Sequence, residues 1–295
     1  MKIAVIGAGK WGSALAHAFS EKNSVIISSR RERDLANFVP IEKALAYEYL
    51  VMAIPTQFVR GFMQKHFSYQ GQKILVAAKG IEVSSGKFLN EVYEEFLPSE
   101  NLAYLSGPSF AAEVIKSLPT ALVVSSANAS LAKQFADAMP SFIRAYSDSD
   151  VVGAEVSGAY KNVVAIAAGV SDGLELGNNA RAALISRGLV EMSRFGEHFG
   201  AKLETFLSLG GAGDLFLTAS SNLSRNYRVG YGLAKGKSLE AVLEELGEVA
   251  EGVPTTKALV KIAKERDIYL PIANEVEALL EGKDPKKSLM DLLNR

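Results

Sequence analysis

The chain has 295 residues, 48% hydrophobic and 22% charged, with a net charge of -1 and no cysteine. Its length suggests two domains and its balance an ordinary globular protein. The near-neutral charge gives no long-range attraction for nucleic acid or an anionic membrane. The absence of thiols excludes disulfides and thiolate metal sites, which suits a cytoplasmic location.

Residues 2–6, Lys-Ile-Ala-Val-Ile, form a short β-branched apolar run, as expected for a buried parallel strand. It is too short for a signal-peptide core or a membrane span. Gly7-Ala8-Gly9-Lys10-Trp11-Gly12 follows, and residues 13–19 have helical spacing, with Leu15, Ala18 and Phe19 on one side. A second strand is predicted over 25–29, and further apolar runs come at 49–54, 73–78, 102–105 and 121–125. Helix-like segments separate most of them, so the first half predicts an α/β fold of Rossmann type, a doubly wound and mostly parallel sheet.

The pattern changes near residues 146–150, Tyr-Ser-Asp-Ser-Asp, which puts a dinucleotide-binding domain at 1–148 and an all-helical substrate and catalytic domain at 149–295. Helices are predicted at 153–170, 178–199, 201–206, 212–220, 226–235, 238–247, 254–267, 271–280 and 285–293, with Pro254 and Pro271 suited to first turns. Glycine-rich breaks punctuate them at 209–213 and 230–236. His17, His66 and His198 are scattered without metal-ligand spacing, so no metal site is expected.

Gly7-x-Gly9-x-x-Gly12 lies between a strand and a helix, the context that gives this motif its meaning. The first glycine permits the tight turn, the second lets backbone NH groups reach a pyrophosphate, and the third lets helix and strand pack closely. No Gly-Lys-Ser/Thr ends the loop, which argues against a P-loop. An NAD-selective site usually carries Asp or Glu at the end of the second strand; here Ser28-Ser29-Arg30-Arg31 stands instead, with Arg33 close behind. Arginine at this place favours a 2′-phosphate, so NADP(H) is favoured and NAD(H) stays open; the alternative is a solvated basic turn.

Lys161 is the only charged residue between Glu155 and Asp172. It must snorkel to water, pair with an acid, or lose proton affinity by desolvation. The last would make it a useful acid or base near neutral pH. Four more clusters stand out. Lys79-Gly80 follows an apolar strand, where open α/β sheets bind ligands. Ser106-Gly107-Pro108-Ser109 ends another strand, Gly213-Asp214-Leu215 sets an acid beside glycines, and Ser224-Arg225-Asn226 combines groups suited to phosphate. Each also has an ordinary reading, as a surface lysine, a turn, a helix cap, or a cap followed by surface residues.

In combination these residues resemble a known family. The run from Glu155 through Gly158-Ala159-Tyr160-Lys161-Asn162 to Ala167 resembles the signature of NAD(P)-dependent glycerol-3-phosphate dehydrogenase of the bacterial type. So do Asp172-Gly173, Asn179 to Gly188-Leu189, Gly213-Asp214-Leu215-x-x-Thr218, Ser224-Arg225-Asn226 and Glu251-Gly252, all in the family's order. The resemblance implies reversible reduction of dihydroxyacetone phosphate to sn-glycerol 3-phosphate, for phospholipid synthesis. It implies Lys161 as catalytic acid/base, with Lys79 and Asp214 beside it. Lys79, Gly107, Ser109, Asp214, Ser224, Arg225 and Asn226 would line the substrate site. Lys10, Trp11, Arg30, Lys79, Ala111, Arg225, Val249 and Glu251 would contact the cofactor, and the charge argument adds Arg31.

A lowered Lys161 pKa is expected from its apolar helix and from Lys79 and Arg225, against an upward pull from Asp214. One departure from the family is the short link between Arg33 and Tyr49, where a further strand is usual. The rival readings are a related hydroxyacid or 6-phosphogluconate-type dehydrogenase, and a non-catalytic dinucleotide sensor. A homodimer is compatible with the apolar helical half.

Overall fold

A computed structural model describes residues 1–294. The chain divides into two compact units, Met1–Ala78 with Leu89–Ala154, and Lys79–Phe88 with Glu155 onward. Lys79, read from the sequence as an end-of-strand residue of the first domain, is therefore carried by the second unit.

The first unit runs β1 (Lys2–Ile6), α1 (Lys10–Ser20), β2 (Ser24–Ser28), α2 (Ile41–Leu45), β3 (Tyr49–Met52), α3 (Val59–His66), β4 (Lys73–Val76), α4 (Leu89–Tyr93), β5 (Leu102–Ser106), α5 (Ala111–Val114), β6 (Thr120–Ser125), α6 (Ala129–Asp137) and β7 (Ile143–Asp148). The seven strands form one sheet in the order β2-β1-β3-β4-β5-β6-β7, parallel except for the β5–β6 pair. Side chains alternate across it as strand geometry requires. Ile3, Val5, Val51, Leu75 and Leu105 pack on one face with Leu15 and Phe19 of α1, while Ala4, Ile6, Leu50, Met52, Ile74 and Val76 pack on the other with Met63 and Tyr93. Both faces are buried, which is why these strands read as continuous apolar runs.

β1 pairs with β2 on one side and β3 on the other, so the strand order reverses there, and the glycine turn follows β1. Crevices at such reversals are where open α/β sheets bind ligands. The shortened link beyond Arg33 keeps a trace of another strand. Ile27 NH donates to Asn37 O and Val39 NH to Ile27 O, both at 2.9 Å, making one parallel bridge between Ile27 and Phe38 on the outer side of β2.

From α7 onward the chain is helical: α7 (Val151–Gly173), α8 (Gly177–Glu197), α9 (Leu203–Leu207), α10 (Asp214–Ala219), α11 (Arg225–Ala234), α12 (Leu239–Leu246), α13 (Gly252–Arg266), α14 (Pro271–Leu280) and α15 (Pro285–Leu293). A π-helical turn at Leu209–Gly213 leads into α10. The segment 79–88 belongs with these helices and is closed by an antiparallel bridge between Ile81 and Phe88. Helices α7 and α11 touch backbone to backbone. A Cβ on Gly169 would overlap the Tyr227 carbonyl oxygen, and one on Gly230 the Ile166 carbonyl oxygen. Among the described residues no helix is long and apolar enough to cross a membrane.

Candidate active site

In the first unit the glycines after β1 take three different roles. Gly7 has φ +111, in the region L side chains avoid, and a Cβ there would stand 2.5 Å from the Ala53 carbonyl oxygen. A Cβ on Gly12 would overlap the Gly7 carbonyl oxygen, so only glycine lets α1 start this close to the strand. Gly9 caps α1 and has open space where a side chain would point. An open approach to a helix N-terminus fits a dinucleotide pyrophosphate. Trp11 is held by its indole NH, which donates to Ala77 O at 3.1 Å.

Arg30, Arg31 and Arg33 lie exposed beyond the end of β2, and Ser29 Oγ donates to Arg31 O at 2.6 Å, closing that turn. Gly107 follows β5 with φ +107, and a Cβ there would press on Ala121 and Leu122 of β6. Ser109 Oγ donates back to Gly107 O at 3.2 Å, and Ala111 begins α5.

The second unit joins three residues that are far apart in the chain. Asp214, the first residue of α10, is 1% exposed. Its Oδ1 accepts from Lys161 Nζ and its Oδ2 from Lys79 Nζ, each at 2.5 Å. Thr218, one helical turn on, receives a second bond from Lys161 Nζ at 3.1 Å. Lys161 is 8% exposed, so it neither snorkels nor faces bulk solvent. Local sequence explains the approach. Gly158 lies one turn before Lys161 and leaves room for the Lys79 stem, whose Cγ would be 3.1 Å from a Cβ at that position. A Cβ on Gly211 would overlap the Phe206 backbone, so the glycine run lets the turn before α10 fold tightly.

Burial, opposed by the Asp214 carboxylate and helped by the ammonium of Lys79, lowers the Lys161 pKa from 10.5 to about 7. Burial alone would raise Asp214, but Lys161 and Lys79 outweigh it and hold the carboxyl below its ordinary value. The result is a buried carboxylate bridging two amines, one of which titrates near neutrality. That arrangement suits stabilising and protonating an oxyanion.

The Ser224-Arg225-Asn226 cluster divides. Ser224 Oγ caps α11 by accepting from Tyr227 NH at 3.2 Å. Asn226 is buried, donating to Asn162 Oδ1 at 2.8 Å and accepting from Gly252 NH at 2.9 Å. Arg225 is the open member, exposed and paired with Glu248 at 3.5 Å. Val249 is exposed and Glu251 partly buried, just before α13.

Comparison with known proteins then decides the family. Residues 150–291 match the description "NAD-dependent glycerol-3-phosphate dehydrogenase C-terminus", and residues 2–45 and 36–132 match its N-terminus. The chain belongs to the NAD-dependent glycerol-3-phosphate dehydrogenase family. It is 64% identical to a glycerol-3-phosphate dehydrogenase [NAD(P)+] of Sulfurimonas denitrificans over 293 residues, 99% of each chain. It is 59% identical to one of Campylobacter jejuni over 295 residues, 100% of this chain and 99% of the relative. A crystal structure of glycerol-3-phosphate dehydrogenase from Coxiella burnetii superposes with a TM-score of 0.92 at 32% identity, covering 100% of this chain and 99% of that one.

Two polar neighbours of this site, Thr218 and Asn162, lie outside the site residues that the sequence suggests. Thr218 lies four residues after Asp214 on a helix, a spacing that puts both on one face. Asn162, beside Lys161, ties α7 to α11 through Asn226, a link that no spacing in the sequence reveals.

Proposed function

We propose that this chain reversibly reduces dihydroxyacetone phosphate to sn-glycerol 3-phosphate with a nicotinamide dinucleotide, and that it supplies glycerol phosphate for phospholipid synthesis. The relatives support the substrate. The observation that carries the chemistry is the Lys79–Asp214–Lys161 bridge. A non-catalytic sensor needs the glycine turn but has no use for a buried lysine titrating at about 7.

When bound, the dinucleotide supplies or accepts the hydride. Lys161 as ammonium stabilises the negative charge that builds on the carbonyl oxygen and then donates its proton to that oxygen. In the opposite direction its neutral amine takes the alcohol proton. Asp214 orients both lysines, and Lys79 adds a second positive charge to the same site. Arg225, with its planar fork, is assigned to the substrate phosphate, and Ser224 and Asn226 support it. Holding the phosphate at one end of a small substrate would orient the reacting central carbon.

Gly7, Gly9, Lys10, Trp11 and Gly12 are assigned to the dinucleotide, with Ala111, Val249 and Glu251 added on the resemblance. Arg30 and Arg31 support NADP(H) as the preferred form, because no acid stands where a ribose hydroxyl would need one. A cytoplasmic location fits a chain without cysteine.

The test is oxidation of NADPH and NADH, measured separately, with dihydroxyacetone phosphate as acceptor. Turnover with a higher kcat/KM for NADPH is expected, and replacing Arg30 and Arg31 by Ala should cut that preference by about tenfold. No turnover with either coenzyme would refute the assignment.

A further inference from the structure

Tyr160, the neighbour of Lys161, and Phe88, at the far end of the segment that opens with Lys79, both meet side chains of α8. Glu191 and Phe195 stand one turn apart on that helix and are 2% and 0% exposed. Glu191 Oε1 accepts from the Tyr160 hydroxyl at 2.6 Å and from Ala273 NH at 2.9 Å, and Oε2 accepts from Ile272 NH at 2.9 Å. Helix α14 begins at Pro271, which has no NH, so its first two donors both end on this carboxylate.

Tyr160, the residue before Lys161, is 0% exposed, and its ring lies 5.8 Å from that of Phe195. Phe195 also meets Phe88 at 6.3 Å, and Phe199 meets both, at 5.0 Å from Phe195 and 5.3 Å from Phe88. Phe88 closes the segment that opens with Lys79, through its bridge to Ile81.

Resting on the functional reading above, we propose that Glu191 and Phe195 are positioning residues for catalysis. Together they fasten the backbones of Lys161 and Lys79 so that both amines reach opposite oxygens of Asp214. A lysine side chain has four rotatable bonds and loses much entropy when fixed, so two of them on one carboxylate need rigidly placed stems. A buried carboxylate at position 191 costs desolvation that an apolar residue would avoid. Its three hydrogen bonds join α7, α8 and α14 directly beside Lys161. Neither residue touches the reacting atoms; each acts through Tyr160 or Phe88.

The experiment compares Tyr160→Phe, Glu191→Gln, Glu191→Leu and Phe195→Leu with the parent enzyme. Tyr160→Phe keeps the ring and the fold but removes the hydroxyl. Three quantities are read: kcat and KM with dihydroxyacetone phosphate, dinucleotide affinity from the fluorescence of Trp11, the one tryptophan, and the ionisation of Lys161 from the 15N resonances of lysine amines. The last two need no turnover, so failure of the assigned reaction would leave this inference open to judgement on its own.

Tyr160→Phe is expected to lower kcat about tenfold and to raise the Lys161 pKa as water reaches it, with dinucleotide affinity within about twofold of the parent. Phe195→Leu should in addition raise KM, because Lys79 loosens too. Glu191→Gln keeps polar links to α7 and α14 and should recover most of what Glu191→Leu loses. A control in the first unit's core, Phe135→Leu, should lower the melting temperature and leave the ionisation of Lys161 unmoved. Should Tyr160→Phe and Phe195→Leu behave like that control, with unchanged kcat per folded molecule and an unchanged Lys161 titration, the cluster is packing alone and the proposal is overturned.

Discussion

Asp214 and Glu191 are both buried carboxylates of the helical unit, and they are held in opposite ways. Asp214 faces two ammonium groups, and its pKa falls below the usual value. Glu191 faces a phenol and two backbone NH groups; burial pushes its pKa up, and those hydrogen bonds only partly offset the rise. Full charges outweigh desolvation where neutral donors do not. The first arrangement holds an amine that burial brings to about 7, whereas the second ties helices together.

Removing the charge at each place without changing its shape is the sharpest test of that contrast. Asp214→Asn should reduce kcat/KM by about 10³-fold, since two lysines then share a site with no counter-charge, whereas Glu191→Gln should stay within about threefold. Steady-state kinetics on the two variants decides it, and equal losses would erase the distinction. Arg225→Ala is expected to raise KM for dihydroxyacetone phosphate about 10- to 100-fold with a smaller change in kcat, as one charge-assisted contact is lost.

The pH dependence is the finest of these tests. Lys161 sits at about 7 rather than 10.5, so it is mostly ammonium below neutrality and mostly amine above it. Oxidation of glycerol 3-phosphate needs the amine and should rise about tenfold per pH unit up to neutrality before levelling; reduction needs the ammonium and should fall above it. In Lys161→Met both limbs should vanish along with most of the activity. A titration that kept its midpoint in that variant would assign the limb to another group.

Much of the first unit was readable because its strands are covered on both faces. Apolar runs marked β1 to β6, and their alternate residues line the two cores. β7 escaped notice because it is an edge strand with Arg144, Tyr146 and Ser147 exposed, so the pattern that signals burial is missing. The helices of the second unit were visible from their spacing. The π-helical turn at Leu209–Gly213 appeared only as a glycine-rich break, since its tight packing on Phe206 is a tertiary fact.

The site was readable in parts. The isolated charge of Lys161 drew attention by itself, but its partner Asp214 lies 53 residues away and Lys79 another 135 from that acid. No local rule predicts such a meeting; resemblance supplied the set, and folding explains it. Tyr160 stands in the run that carries the resemblance, but its partner Glu191, 31 residues on, gives no sequence signal, because a lone Glu on a helix reads as a solvated face.

The glycine crossing of α7 and α11 has one more consequence. With carbonyl oxygens occupying the space of a side chain at Gly169 and Gly230, neither helix can slide without collision. Lys161 stands on one rod and Arg225 at the start of the other, so in the roles proposed for them the gap between proton donor and anion clamp is a fixed gauge. A shorter or longer carbon backbone would meet one of the two and miss the other.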